Sequence, residues 1–243
     1  MTHHRPLLLL AGSAEARHIA GAARARGLAL RAVLTEAPRG GARLPVPARL
    51  LTTGDAEALA AEVAGARAVL DAAHAFDGWL SATAHAAARD RGLPYLALRR
   101  PPWSTSGRKG WQRVRDIPAA LPHLRPGARV FCTTGAGSLP ELLSAAPGTK
   151  LFLRRTAGRA PVAGVVPVFG APPFPVAGET ALFRALGIDT LLARNLGGTP
   201  ARGKLDAAAA LGLRVLLVDR PPLPAGAPCV GDPARALDWM EAL

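Results

Sequence analysis

The 243-residue chain is long enough for one large or two small domains, and its 49% hydrophobic content excludes a disordered protein. A net charge of +13 fits an acidic small molecule, a nucleic acid or an anionic membrane surface as partner. Scattered arginines and only 5% aromatic residues argue against a nucleic-acid surface, and the apolar run at residues 7–11 is too short to span a membrane. We therefore expect a cytoplasmic protein with reduced cysteines and no nucleic-acid or membrane partner.

The first half of the chain predicts strands that alternate with helices. The run Leu7-Leu8-Leu9-Leu10, ended by Gly12, is typical of a strand buried on both faces of a parallel sheet. An Ala-rich stretch of good helix formers follows and ends at Gly27. The predicted strands are 7–10, 30–34, 68–72 and 95–98, and the predicted helices are 14–26, 55–64 and 78–91.

The second half predicts the same alternation. Its predicted strands are 130–133, 151–154, 190–193 and 215–218, and its predicted helices are 139–145, 179–186, 204–211 and 233–243. The stretch 157–178 carries many Pro and Gly residues, so we expect it to be mostly loop. Alternating strands and helices indicate an α/β fold with parallel sheets.

The two halves also resemble each other. The segments 92–102 and 212–222 have similar sequences. Each follows a predicted helix, begins with Gly-Leu, continues as a predicted strand and ends in Arg-Pro-Pro. We expect two Rossmann-like or flavodoxin-like domains with helices flanking each sheet and a cleft between them. The predicted boundary lies near Pro126-Gly127, giving domains 1–126 and 127–243. Chance similarity between α/β segments is the alternative.

The turn Gly12-Ser13-Ala14-Glu15 is the first candidate site. It follows the first predicted strand, and ligands of parallel sheets bind beyond the carboxyl ends of the strands. Free N–H groups at the start of the next helix favour a phosphate, and Ser13 adds a hydroxyl. A serine that merely caps the helix would give the same pattern.

Asp71 and His74 follow another predicted strand. A carboxylate and an imidazole at a strand end can position a substrate or exchange a proton. The structural alternative is that His74 caps the next helix or bonds to Asp71. No CxxC pair or HExxH motif indicates a metal site.

Two further motifs contain basic residues near strand ends. Arg99-Arg100-Pro101-Pro102-Trp103 offers guanidinium groups for carboxylates and a flat indole for a conjugated ring, and Arg220 is the counterpart of Arg100. The turn Arg194-Asn195-Leu196-Gly197-Gly198, followed by Lys204, is a second candidate anion site. A structural linker and a plain loop, respectively, are the alternatives.

Taken in order, these segments resemble the precorrin-6A reductase family of cobalamin biosynthesis. The resemblance rests on Gly12–Ala16, on Asp71–Asp77 with Phe76, on Arg100–Trp103, on Phe131–Gly135 and on Arg194–Gly198 with Lys204. It covers nearly the whole chain, and the ordered combination is more specific than any one motif.

The resemblance implies hydride transfer from NADPH to a double bond of a tetrapyrrole polycarboxylate. It implies cofactor contacts from Gly12, Ser13, Ala14, Glu15, Arg39, Thr133, Gly135, Asn195, Gly197, Gly198 and Lys204. It implies substrate contacts from His74, Phe76, Arg100, Trp103 and Arg220, with His74 and Asp71 as the catalytic pair. Other cobalamin-pathway enzymes would be the further partners.

The chain departs from the family pattern at several positions. The family's Thr-His-Pro stands here as Ala73-His74-Ala75, and Leu196 replaces a serine. Arg39 could meet the 2′-phosphate of NADPH, although Glu36 would oppose it. Two alternatives therefore stay open: another NADPH-dependent reductase of an anionic substrate, or a basic nucleic-acid-binding protein.

Overall fold

The computed structural model describes residues 5–37, 43–145, 147–156, 158, 162–199 and 201–243. The chain divides into two compact units. Unit 1 comprises Met1–Arg100 together with Pro221–Leu243, and unit 2 comprises Pro101–Arg220. Each unit contains one six-stranded sheet, so the predicted pair of similar α/β halves is confirmed.

Strands and helices alternate through most of the chain. In order they are β1 (Leu7–Ala11), α1 (Ala14–Ala25), β2 (Leu30–Leu34), β3 (Ala48–Leu50), α2 (Ala56–Ala64), β4 (Ala68–Ala72), α3 (Gly78–Arg89), β5 (Tyr95–Leu98), β6 (Trp111–Val114), α4 (Ile117–Ala120), β7 (Arg129–Thr133), α5 (Leu139–Leu142), β8 (Lys150–Arg155), β9 (Val165–Phe169), α6 (Val176–Ala185), β10 (Thr190–Arg194), α7 (Gly203–Ala210), β11 (Arg214–Val218), β12 (Cys229–Val230) and α8 (Pro233–Glu241).

The two sheets arrange five of their six strands in the same order. The strand order is β12-β5-β4-β1-β2-β3 in unit 1 and β6-β11-β10-β7-β8-β9 in unit 2. All neighbouring strands are parallel. Read from the β3 edge, the order of the first sheet is that of the Rossmann fold and not that of flavodoxin. The second sheet repeats this order in β9-β8-β7-β10-β11, but its sixth strand, β6, precedes the other five in the chain.

Alternating side chains of β1 pack into two different layers of unit 1. Leu7 and Leu9 belong to one apolar cluster, and Leu8 and Leu10 belong to another. All four are fully buried because helices cover both faces of the sheet. No helix in the described part of the chain is long and apolar enough to cross a bilayer.

The predicted boundary near residue 126 is wrong. The chain leaves unit 1 after Arg100, and β6 then pairs with β11 of the second sheet. It returns after Arg220, and β12 pairs with β5 of the first sheet. Each sheet therefore takes an edge strand from beyond the expected boundary, and the repeated Arg-Pro-Pro segments mark the two crossings.

The expected loop at 157–178 contains regular structure. Strand β9 forms within it and pairs with β8, and α6 begins at Val176, three residues before the predicted start. The short strands β3, β6 and β12 were not predicted either. All three are edge strands of two to four residues. Such short segments contain too few apolar residues to show a periodic pattern.

Candidate functional site

Each sheet has one point where the strand order reverses direction. In unit 1 it lies between β1 and β4, and in unit 2 it lies between β7 and β10. Ligands of open α/β sheets bind beyond the carboxyl ends of the strands at such a point. The predicted residues fall at these places: Gly12–Glu15 and Asp71–His74 in unit 1, and Thr133–Gly135 and Arg194–Asn195 in unit 2.

Gly12 lies against the turn that follows β4. A Cβ atom added to Gly12 would stand 2.5 Å from the backbone nitrogen of His74. Real side chains do not tolerate such a contact with backbone, so this position requires glycine. The turn after β1 and the turn after β4 are thereby packed together, as a ligand site at the reversal point requires.

Ser13 caps helix α1 and also joins the two turns. Its Oγ accepts the Ala16 N–H at 3.1 Å and donates to the Ala72 carbonyl at 2.8 Å. The capping role that the sequence left open is therefore present. The N–H groups of Ala14 and Glu15 lie in the first turn of α1, where no carbonyl group of the helix can accept their hydrogen bonds. Together with the helix dipole, they favour an anion at this position.

Glu15 and Arg100 form an ion pair within unit 1. Glu15 Oε1 lies 3.1 Å from Arg100 Nη1, and the two side chains are only 14% and 20% exposed. The sequence assigned Glu15 to the cofactor and Arg100 to the substrate. The structure places them together, so the guanidinium charge of Arg100 is partly balanced beside the Gly12 turn.

Asp71 is held by hydrogen bonds at the end of β4. Its carboxylate accepts the Tyr95 hydroxyl at 2.7 Å and the Ala73 N–H at 3.0 Å, and the residue is buried. Burial, reinforced by the nearby Asp71 charge, raises the pKa of Tyr95 above its ordinary value, so the tyrosine remains a donor. These contacts fit orientation of the strand end better than proton exchange by Asp71.

His74 follows on the same turn, and its ring bonds to the backbone of that turn. Its Nδ1 accepts the Phe76 N–H at 3.2 Å, and the two rings stand 6.2 Å apart. A neutral imidazole that accepts at Nδ1 carries its proton at Nε2. His74 and Phe76 are both half-buried at the reversal point of the first sheet.

Asp77 ends a motif noted in the sequence and was given no role of its own, although it organises the same edge of unit 1. Its Oδ1 accepts the Leu80 N–H at 3.1 Å and caps α3, and its Oδ2 accepts the Thr35 hydroxyl. Thr35 follows β2, so the turns after β2 and β4 are tied together. An Asp directly before a helix is the signal that would have identified this residue.

The expected 2′-phosphate contact, Arg39, lies outside the described residues. A second arginine in this region was missed. Arg17, in the first half of α1, donates from Nη1 to the Arg43 carbonyl at 3.1 Å. It therefore adds positive charge next to the segment that follows β2, where dinucleotide-binding sheets read the ribose.

In unit 2, the turn after β7 lies close to the end of β10. A Cβ atom added to Gly135 would stand 3.8 Å from Arg194 Nη1. The buried Thr133 hydroxyl has no hydrogen-bond partner within the described ranges. Thr134 and Ser138 bond to each other through their hydroxyls at 2.6 Å and stabilise the turn.

Asn195 is fully buried and binds the backbone of Trp103. Its Oδ1 accepts the Trp103 N–H at 2.8 Å, and its Nδ2 donates to the Trp103 carbonyl at 3.1 Å. The Trp103 indole N–H donates to the Gly198 carbonyl at 2.8 Å. Gly197 and Gly198 have φ values of +70° and +71°, a conformation that favours glycine and presents this carbonyl.

These contacts change the role expected of Trp103. The sequence assigned it an open indole face, but the residue is 6% exposed and belongs to the apolar core of unit 2. Lys204 Nζ stands 5.3 Å from its ring and donates to the Ala201 carbonyl at 2.7 Å. Burial lowers the pKa of Lys204 to about 8, while Glu179 partly offsets this effect.

A buried ion pair near Lys204 was also missed. Arg154 Nη2 lies 2.6 Å from Glu179 Oε1, with side chains 10% and 5% exposed. The guanidinium stands 4.1 Å from the Phe174 ring and 5.0 Å from the Phe131 ring. The buried carboxylate of Glu179 is compensated by Arg154, 25 residues earlier in the sequence, and by the nearby charge of Lys204.

The remaining predicted substrate residue, Arg220, is half-buried at the last position of unit 2. Among the described residues, no group of three or more His, Cys, Asp or Glu side chains could hold a metal ion. The described candidate residues are thus divided between the two units. Those in unit 2 are Trp103, Thr133, Gly135, Asn195, Gly197, Gly198, Lys204 and Arg220, and the others are in unit 1.

The sequence and the fold both match known proteins. Residues 6–241 match the family described as precorrin-6x reductase CbiJ/CobK. Precorrin-6A reductase of Rhodococcus erythropolis is 38% identical over 98% of both chains, and that of Rhodobacter capsulatus is 37% identical over 90% of this chain and 89% of its own. The solved structure of CobK precorrin-6A reductase superposes with a TM-score of 0.87 at 31% identity, over 98% of this chain and 96% of the other.

Proposed function

Because the chain belongs to the precorrin-6x reductase family CbiJ/CobK, we propose that it reduces precorrin-6A with NADPH in cobalamin biosynthesis. The bound nicotinamide would supply the hydride. The observation that carries the proposal is the Gly12 turn, where α1 begins at the reversal point of a Rossmann sheet. The two unpaired cysteines are compatible with a cytoplasmic location.

We assign the cofactor phosphates to the start of α1. The N–H groups of Ala14 and Glu15 offer donors with the positive end of the helix dipole behind them. Ser13 contributes by holding this turn in place, since its hydroxyl is already bonded to Ala72. Arg17 and Arg39 are the candidate partners of the 2′-phosphate, which would favour NADPH over NADH.

His74 is the candidate proton donor for the reduction. Because its Nδ1 accepts the Phe76 N–H, the proton would leave from Nε2, and water would then reprotonate the ring. Asp71 orients the backbone of the same turn through Ala73. On this assignment, catalysis consists mainly of positioning the two reactants, with one proton delivered from the turn after β4.

A pair of glycine substitutions in one segment tests the cofactor site. Gly12→Ala places a methyl group against the His74 backbone, whereas Gly21→Ala in α1 meets nothing within 4 Å. We expect Gly12→Ala to lose NADPH affinity by at least about tenfold and Gly21→Ala to bind like wild type. Nicotinamide fluorescence during titration with NADPH and NADH measures both.

Unchanged NADPH affinity in a folded Gly12→Ala protein would refute the assignment of the phosphates to this turn. A wild-type protein that binds NADPH but fails to reduce precorrin-6A would support the alternative of a different reductase on the same fold. Salt-dependent binding to DNA with no response to NADPH would support the nucleic-acid alternative.

A further inference from the structure

Unit 2 contains a pocket of about 230 Å³ that the proposed cofactor site does not use. Its lining comes from the segment that enters the unit, from the start of β6 and from the start of α7. The lining residues are Trp103, Ser104, Ser106, Arg108, Trp111, Arg202 and Leu205. Both arginines, both serines and Trp111 were absent from the residues that the sequence singled out.

The polar lining of this pocket is cationic. Its polar lining residues are two arginines and two serines, and none of the seven lining residues is acidic. Arg108 stacks over the Trp111 ring at 4.5 Å. Arg202 pairs with Asp206 at 3.0 Å, but both side chains are about 40% exposed, so water screens this pair. An anionic group is therefore the ligand that this lining favours.

The apolar walls define the ligand further. Two indoles and Leu205 provide surface for methylene groups, while the arginines provide forks for a carboxylate. Trp103 is fixed before any ligand binds, because Asn195 holds its backbone and Gly198 holds its indole N–H. Because this indole is already ordered, ligand binding does not incur the entropy cost of ordering its side chain.

The volume limits how much of a ligand can enter. At roughly 30 Å³ for each water molecule, the pocket holds about eight waters, which is enough for a short aliphatic acid but far too little for a macrocycle of four linked pyrrole rings. We infer that this pocket binds one acetate or propionate arm of the tetrapyrrole substrate, with the carboxylate on Arg108 and Arg202. The inference rests on the proposed function and assigns its substrate a contact in unit 2.

Coproporphyrin, a flat tetrapyrrole with four propionate arms, is a suitable probe, and its tetra-amide is the uncharged control. Quenching of the protein's tryptophan fluorescence reports binding. We expect Arg108→Gln and Arg202→Gln each to weaken coproporphyrin binding about tenfold. Arg184→Gln removes one exposed positive charge elsewhere in unit 2 and should bind like wild type. Amide binding should be weak in all four proteins.

The NADPH titration separates this inference from the proposed function. Both pocket variants should bind NADPH like wild type, with unchanged circular dichroism. Weaker NADPH binding with unchanged coproporphyrin binding would assign the pocket to a cofactor phosphate and overturn the inference. Equal coproporphyrin affinity in all variants, or equal affinity for acid and amide, would also overturn it. A wild-type protein that binds coproporphyrin but not NADPH would refute the cofactor proposal alone.

Discussion

The side-chain amide of Asn195 bonds to both backbone groups of Trp103, 92 residues earlier in the chain. The donor and acceptor of one peptide segment are thus satisfied by one fully buried side chain. This pairing joins the end of β10 to the segment through which the chain enters unit 2. Asn195 therefore influences the pocket in unit 2 indirectly, by holding Trp103 in its wall.

Asn195→Leu should destabilise unit 2 because it leaves the N–H and carbonyl of Trp103 buried without partners. Each unsatisfied group costs about 1–3 kcal/mol. Urea unfolding followed by circular dichroism measures the loss. Trp103→Phe keeps both backbone bonds but removes the indole N–H and part of the buried ring system, so we expect a smaller loss of stability. A free energy of unfolding unchanged in Asn195→Leu would show that these bonds contribute little.

His74→Ala should lower kcat by about 100-fold if the ring delivers the proton. His74→Asn separates this role from that of the hydrogen bond, because its Oδ1 can replace Nδ1 as acceptor for Phe76. We expect His74→Asn to remain slow and the pH dependence of kcat to change in both variants. His18→Ala, at an exposed position of α1, is the control. Recovery of kcat in His74→Asn would make His74 a positioning residue only.

Lys204 should make the stability of the protein depend on pH. Its pKa is lowered from 10.5 to about 8, so above pH 8 the folded state releases a proton that the unfolded state retains. The free energy of unfolding should therefore rise with pH from about 8 toward 10.5. Cys132 acts in the opposite direction above pH 9, because burial raises its pKa from 9.0 to about 12.

Comparison with Lys204→Met over the pH range from about 7.5 to 9 isolates the contribution of Lys204, because Cys132 contributes equally to both proteins. Wild type should gain roughly 0.5–1 kcal/mol across this range relative to Lys204→Met. Lys150→Met, at an exposed position of β8, should retain the wild-type slope. Equal slopes in wild type and Lys204→Met would mean that the ammonium of Lys204 is better solvated than its burial indicates.

The two cysteines should differ sharply in reactivity. Cys132 is fully buried in β7 with a raised pKa, whereas Cys229 is exposed in β12. A chromogenic disulfide reagent should therefore modify one thiol per chain in the native protein and both in denaturant. Cys229→Ser should show no fast reaction. Rapid modification of two native thiols would reveal that β7 opens readily.

The buried central strands could be predicted because their position dictates their composition. Strands covered on both faces must be continuously apolar, as β1 is throughout and β11 is after Arg214. The sheet edges follow no such rule. Strand β12 contains two residues, and β6 carries Gln112 and Arg113, so neither stands out from a loop until its partner strand is known.

The candidate site was predicted where local sequence determines it. A glycine after β1 and an Asp-His pair after β4 are visible because they follow apolar runs. The pairings of Asn195 with Trp103 and of Glu179 with Arg154 depend on the tertiary fold, since their partners are remote in sequence. The Arg-Pro-Pro repeats were interpreted as ligand contacts, but they also mark the crossings between units.

The late return of the chain to unit 1 has a consequence for biosynthesis on the ribosome. Unit 2 is one uninterrupted segment and can complete its sheet once Arg220 has emerged. Unit 1 must wait for β12 to cover the edge of β5 and for α8 to bury Ala236, Leu237 and Met240 beside α1. A premature stop before residue 229 would thus leave the earlier-translated unit with an open edge, exposed to aggregation, while the later-translated unit is whole.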